Sequence, residues 1–305
     1  MLGNSLIRIG TRGSPLALAQ AHETRTRLML AHSLEEHQFE IVVINTTGDR
    51  ILNQPLAEIG GKGLFTQELE EALQNGSIDL AVHSMKDMPA LLPDGLTIAA
   101  ILEREDPRDA FVSVNHKSLM DLPEGGVLGS SSVRRNAQAL RIRPDLKSVQ
   151  FRGNVQTRMR KLAEGVAAAT FLAVAGLNRL GMSQHISTIM DMNDMLPAVA
   201  QGAIGIEIKQ GNSFALNLVQ AIHHKTTGIA IACERAFLAK LEGSCRTPIA
   251  GHAQVNGGKV YFKGQILSLD GATTSEVERE GAIEDAEEIG IAVAVAAAEK
   301  QLLRV

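Results

Sequence analysis

The residues of this chain that could do chemistry fall into three groups. The first is an acid among cations. Asp87 follows the apolar stretch 78–83 in the run SMKDMP, next to Lys86. A carboxylate so placed can hold a developing cation or move a proton, or it can serve as a structural ion pair with Lys or Arg. The second group is a thiol. Cys245 lies in LEGSCRTPIAGHA, between Gly243 and Pro248, so a turn is expected there. Arg246 beside it favours a thiolate nucleophile. Cys233, inside IAIACERAFLAKL, reads as packing. The third group is a set of cations and hydroxyls just past apolar runs: Arg12 and Ser14; Ser84 and Lys86; Ser130, Ser132, Arg134 and Arg135; Arg152. Planar guanidinium forks suit carboxylate and phosphate, so a ligand with many anionic groups is expected.

Other motifs carry less. The two cysteines stand twelve positions apart with no close His pattern, so no zinc site, and no metal, is expected. Gly60-Gly61-Lys62-Gly63 lacks phosphate-loop spacing and reads as a hinge or lid before a helix. His223 and His224 read as an adjacent structural pair in a helix, pointing different ways.

Strand–helix alternation must position these groups. Strands are expected at 5–10, 39–45, 78–83, 97–102, 110–114, 127–128, 148–151 and 170–174, with helices at 16–31 and 64–74. Ser14-Pro15 marks the first helix start, and Asn75-Gly76 ends the second. Residues 46–63 read as a long loop. The polar groups then sit beyond the carboxyl ends of strands, several at helix N-termini, where open parallel sheets bind anionic ligands. Residues 196–208 are apolar enough to return to the first sheet. From His223 the pattern becomes a helix, a cysteine loop, strands at 253–255 and 259–269, and an acidic-to-apolar helix to the end. The expected fold class is α/β with mainly parallel sheets plus a C-terminal α+β domain. Domain 1 covers 1–102 with a return segment 198–222, domain 2 covers 103–197, and a third covers 223–305.

Composition narrows the function. The chain has 305 residues, 45% hydrophobic and 21% charged, with net charge −4. Aromatics are 3%, with no Trp and one Tyr, too few for a base-stacking platform. Residues 134–161 are dense in Lys and Arg, with Asp145 the one acid; residues 276–299 are acidic, with Arg279 the one base before Glu299. No signal peptide is evident and the longest apolar runs are short, so a soluble, cytoplasmic protein is expected, binding neither nucleic acid nor membrane and acting as a monomer.

The order of motifs is similar to the porphobilinogen deaminase (hydroxymethylbilane synthase) family. GTRGSPLALAQA at 10–21, GGKGLFTQELEEAL at 60–73 and DLAVHSMKDMPALLPDGL at 79–96 carry the likeness. So do EREDPRDAFVS at 103–113, GSSSVRRNAQ at 129–138, FRGNVQTRMRKL at 151–162 and LAVAGLNRLG at 172–181. LPAVAQGAIGIE at 196–207 and LEGSCRTPIAGHA at 241–253 complete it. The resemblance implies two lobes like periplasmic solute-binding proteins and a third domain carrying a dipyrromethane cofactor as a thioether on Cys245. It implies stepwise condensation of four porphobilinogen molecules with release of ammonia, then hydrolytic release of hydroxymethylbilane. Asp87 matches the catalytic aspartate. Lys86, Ser132, Arg134, Arg135 and Arg158 match cofactor-binding positions, and Arg12, Ser14, Arg152 and Arg179 match substrate-binding positions. Glu58 where relatives carry Lys, Ser130 where Thr is usual, and Arg246 in CRTP instead of CQVP are departures. A solute-binding protein would share the lobes but have no need of Cys245. A nucleic-acid binder could use 134–161, against the scarcity of aromatics.

Overall fold

A computed structural model describes residues 6–50, 64–242 and 247–302; the side chains of 49, 50 and 302 are not part of that description. Cys245, Arg246, Glu58 and the Gly60–Gly63 motif therefore lie outside the described residues. In chain order the elements are β1 (Ile7–Arg12), α1 (Pro15–His32), β2 (Phe39–Ile44), a single turn α2 (Thr47–Arg50), α3 (Gln67–Gln74), β3 (Leu80–Ser84) and β4 (Leu96–Ile101). Next come β5 (Asp109–Ser113), β6 (Val127–Gly129), α4 (Val133–Ile142), β7 (Lys147–Val149), α5 (Val155–Ala163), β8 (Ala169–Ala173), α6 (Val174–Arg179) and β9 (Thr188–Ile189). The chain ends with β10 (Ile204–Lys209), α7 (Ser213–Gln220), α8 (Lys225–Lys240), β11 (Ile249–Asn256), β12 (Lys259–Leu267), β13 (Thr274–Ala282) and α9 (Ala286–Leu302).

The described residues group into two compact units. Residues 6–50, 64–104 and 203–228 make the first; 105–202, 229–242 and 247–302 make the second. The first holds the sheet β2-β1-β3-β10-β4. β1 runs parallel to β2 and β3, while β10 is antiparallel to β3 and β4. Four strands therefore point one way and β10 the other. The second unit repeats the plan in the sheet β7-β6-β8-β5-β9. There β6 is parallel to β7 and β8, and β5 is the reversed strand between β8 and β9. The second unit also contains the antiparallel meander β11-β12-β13, covered by α9.

Alternation decides which side chains pack where. In the first unit Ile7, Ile9, Leu80, Val82, Ile204 and Ile206 meet Ala21 and Leu28 of α1 and Leu218 of α7. The opposite face packs Ala81 and Leu96 under Leu69 and Leu73 of α3. Glycines allow the closest approaches. At Gly129, closing β6, an added Cβ would run into the Phe151 ring. No described helix is long and apolar enough to cross a membrane.

Three expectations change. The acidic stretch after residue 274 is β13, because Glu276, Glu278 and Glu280 recur at period two and line one face of a strand. Lys263 of β12 pairs with Glu276 (2.7 Å) and Glu278 (3.1 Å), and Lys259 with Glu280 (2.9 Å); Ser275, pointing the other way, is buried and donates to the Ala297 carbonyl of α9. The histidines precede the helix rather than lying in it. α8 starts at Lys225, and His224 caps it, its Nδ1 accepting from Thr227 N at 3.3 Å. His223 Nδ1 accepts from Ile101 N at 3.1 Å, and burial lowers its pKa. Within 46–63, residues 47–50 form the turn α2 instead of irregular loop.

Gly129→Ala should lower stability by about 1–3 kcal/mol, the usual cost of overpacking a buried contact. Urea unfolding measures it, and a neutral result would show that Phe151 can move aside.

Candidate active site

In the first unit the candidate residues gather where β1 and β3 end side by side. Ser14 caps α1 as expected, its Oγ accepting from Ala17 N at 3.2 Å, with Pro15 opening the helix. Arg12 leaves β1 and stacks over the Phe65 ring at 4.4 Å, a cation–π contact. Ser84 closes β3 and exchanges hydrogen bonds with the Gln20 amide (2.8 and 3.1 Å).

The turn after Ser84 shows why Lys86 and Asp87 are displayed. Met85–Asp87 is a 3-10 turn, in which residues three apart lie on one side. Met85 and Met88 are both buried. Met85 packs against Gly205 of β10 and its N–H donates to the Ala203 carbonyl. Lys86 is left half-buried and Asp87 exposed. Among the described residues the Asp87 carboxylate forms no hydrogen bond or ion pair, so the structural ion-pair reading of this acid finds no partner there.

In the second unit the loop after β6 is locked by its own hydroxyls. Ser130 Oγ accepts from Ser132 N (3.2 Å), and Ser131 Oγ from Phe151 N (2.9 Å). Ser132 caps α4 by accepting from Arg135 N at 3.4 Å. Arg152 and Arg158 flank the next loop, beyond β7, which pairs with β6. Both are half-buried. Arg158 Nε donates to the Gly153 carbonyl (2.9 Å), and Lys161 Nζ to the Arg152 carbonyl (3.1 Å). Arg179 closes α6, and its Nη1 donates to the Gly202 carbonyl at 3.1 Å.

Arg134 and Arg135 take a place the sequence did not suggest. Rather than standing open at the head of α4, they are buried and converge on Asp109, the first residue of β5. Arg134 Nη1 lies 2.8 Å from Asp109 Oδ2. Arg135 donates to Asp109 Oδ1 from Nη2 (2.6 Å) and Nε (3.0 Å). Gln201 Nε2 adds a third donor group at 3.0 Å. Burial alone would raise the Asp109 carboxyl; the two guanidiniums overcome it and hold the group well below the usual carboxylate range. Burial lowers the Arg134 pKa, with Asp109 opposing. Two buried cations on one carboxylate leave an excess positive charge, an arrangement that fits a carboxylate-bearing ligand.

Sequence reasoning missed Asp109 and Gln201. The signal lies in the packing: two adjacent arginines buried in a helix that also buries Ala137 and Ala139 need an internal anion. Of the two thiols, only Cys233 lies among the described residues. Cys233 is fully buried in α8, and burial together with Glu234 pushes its thiol up to about 12. It packs in the interior, as expected.

A family model described as "Porphobilinogen deaminase, dipyromethane cofactor binding domain" matches residues 7–217, and "Porphobilinogen deaminase, C-terminal domain" matches 229–299. This chain belongs to the porphobilinogen deaminase family. A porphobilinogen deaminase from Paracoccus denitrificans is 56% identical over 284 residues, covering 93% of this chain and 91% of the relative. A chloroplastic porphobilinogen deaminase from Pisum sativum is 55% identical over 293 residues, covering 94% and 79%. Similar solved structures include the periplasmic VFT2 domain of BvgS from Bordetella pertussis, with TM-score 0.42 and 16% identity over 71% of this chain and 86% of that one. A periplasmic substrate-binding protein from Coxiella burnetii has TM-score 0.43 and 15% identity over 72% and 93%. Within the family match, Arg12, Ser14, Lys86, Asp87 and the arginines up to Arg179 fall in the cofactor-binding segment. Cys245 falls in the C-terminal one.

Asp109→Asn should destabilise the enzyme by about 3–5 kcal/mol, because it leaves two buried guanidiniums without their counter-ion. The native pKa of Asp109 is depressed. Its contribution is therefore complete above the ordinary value of 3.8 and is lost as pH falls below it toward the native value. Unfolding midpoints from pH 7 into the acid range test this: the wild type should lose stability with acid faster than Asp109→Asn.

Proposed function

We propose that this member of the family condenses four porphobilinogen molecules head to tail, releasing ammonia at each step, and sets free hydroxymethylbilane by hydrolysis, with the residue roles that follow. The observation that carries the reading is the carboxylate of Asp87, exposed in the turn after β3 beside Lys86 and without a hydrogen bond or ion pair among the described residues. The dipyrromethane cofactor, attached through Cys245, supplies when bound the free pyrrole carbon to which the next ring is joined. The residues suit such a group. Its acetate and propionate carboxylates call for cations and hydroxyls, which Lys86, Ser132, Arg134, Arg135 and Arg158 provide, and the charge left over around Asp109 asks for an anion.

Arg12, Ser14, Arg152 and Arg179 hold the carboxylates of arriving substrate, where charge-assisted hydrogen bonds to guanidinium give both strength and orientation. Asp87 faces the cation formed when porphobilinogen loses ammonia. A fixed carboxylate that needs no reorganisation stabilises that charge better than water does. It also lies ready to receive the proton released when the new bond is made. Domains 1–102 with 198–222, 103–197 and 223–305, acting as a monomer in the cytoplasm, complete the reading. Gel filtration tests the monomer.

Mass spectrometry of intact variants checks the residue roles. Cys245→Ser should lack the cofactor mass and Cys233→Ser should keep it; an adduct at full occupancy on Cys245→Ser overturns the attachment. Asp87→Asn should fold and carry cofactor, yet add pyrrole units about a hundredfold more slowly or worse. A near wild-type ladder of additions would end the catalytic role of Asp87.

A further inference from the structure

β10 enters the first sheet between β3 and β4, and its two faces specify its place unequally. On one face Ile204, Ile206 and Ile208 pack with Leu80, Val82 and Leu28. A slip of β10 by two residues along β3 would put isoleucine where isoleucine stood, so this face accepts either register. The other face does not. Gly205 lies opposite His83, and Glu207 opposite Ala81. His83 and Glu207 therefore leave the sheet on one side as diagonal neighbours, the side on which Ala81 packs with Leu69 and Leu73 of α3.

His83 Nε2 is 3.0 Å from Glu207 Oε2, with the side chains 4% and 0% exposed. Glu207 Oε1 has no hydrogen-bond partner, so His83 is the one hydrogen-bond partner of this buried carboxyl among the described residues. The condensation has no use for either group. Slipped one way, Glu207 would stand opposite Asp79, another acid, and would leave His83. Slipped the other way, it would stand opposite His83, where an added Cβ runs into the Met85 side chain. Charge resists the first slip and bulk the second. A buried polar pair that selects one register is a well-attested use of such groups.

The pairing continues past the strand end into the turn. Met85, two residues after His83, donates its N–H to the Ala203 carbonyl at 3.0 Å. Its thioether fills the space that a side chain at Gly205 would take. Met85 opens the turn that carries Lys86 and Asp87. We propose that His83 and Glu207 are positioning residues: their bond sets the register of β10 on β3, and through Met85 it places the Lys86–Asp87 turn. The effect on the reaction rests on the catalytic reading of Asp87.

Full-length, cofactor-loaded variants test this. Glu207→Gln keeps an acceptor at the same reach and should hold the wild-type kcat. Glu207→Asp keeps the charge but draws it back by one methylene. It should lower kcat about a hundredfold, the scale for a reacting group misplaced by about 1 Å, with KM little changed. In Glu207→Asp hydrogen exchange at the Met85 amide should quicken, while exchange in α1 stays as in the wild type. His83→Leu/Glu207→Met removes the pair without stranding a charge. It should melt no lower than the wild type, yet show the low kcat and the faster Met85 exchange; a purely structural pair would give back activity together with stability. Wild-type kcat or wild-type Met85 exchange in this double variant overturns the proposal. So does equal kcat in Glu207→Gln and Glu207→Asp, a comparison that also decides the matter should the double variant not fold. Full elongation by Asp87→Asn overturns only the catalytic reading, and the exchange results then still decide whether the pair sets the register.

Discussion

Burying two guanidiniums at the end of a sheet requires an anion held in place, and Asp109 is that anion. It opens β5 opposite Ala173, the last residue of β8, so it stands at the carboxyl edge of the parallel strands. Arg134 and Arg135 occupy the first turn of α4, and their grip on Asp109 ties that turn to β5. The same carboxylate takes a hydrogen bond from Gln201, and Arg134 also donates to the Leu196 carbonyl. Residues 196–202 are thereby tied to α4 and β5 at once. Gly202 in turn accepts from Arg179. Within the second unit, α4, β5 and residues 196–202 thus share one buried charge, and Arg179 reaches the end of that stretch. Removing any partner would strand a charge in a low-dielectric interior, which is why such a network admits so little substitution.

The C-terminal part of the second unit supports this hub from another side. Glu234 of α8 is fully buried and accepts from Ala200 N at 2.5 Å and Ala253 N at 2.8 Å. Ala200 has φ +60°, a left-handed backbone that costs a non-glycine residue energy unless its surroundings hold it. A buried carboxyl acceptor on its N–H is such a hold. α8 and β11 are therefore joined to the turn at Ala200.

In the first unit an apolar device does the equivalent work. Met85 and Met88 anchor both ends of a short turn so that Lys86 and Asp87 have nowhere to go but outward. The catalytic role proposed for Asp87 needs a carboxylate that is fixed and, among the described residues, free of an ion pair. An acid tethered by an ion pair would be fixed but partly neutralised. Placing the anchor in the thioether side chains of Met85 and Met88, and the polar bonds on Ser84 and His83, leaves Asp87 at the surface of the turn.

Local patterns determined much of this protein. Ser14-Pro15 fixed the start of α1, Asn75-Gly76 the end of α3, and the run of apolar stretches followed by Arg, Ser and Lys marked the carboxyl edges where the candidate residues lie. The environment of Cys233 was equally legible, because its apolar neighbours recur at helical spacing. The tertiary structure decided what depends on partners far along the chain. No local signal says that β10 enters between β3 and β4 or that β5 runs against its neighbours, since strand order is set by which edges remain to be paired. Nor could it say that Arg134 and Arg135 spend their charge on an acid some 25 positions earlier, or that His83 and Glu207 meet. A charged side chain looks the same in a sequence whether it faces water or a buried counter-charge; only the packing that removes the water distinguishes the two. The acidic stretch of β13 shows the limit most plainly: alternate glutamates could have named a strand, but their lysine partners on β12 decide it.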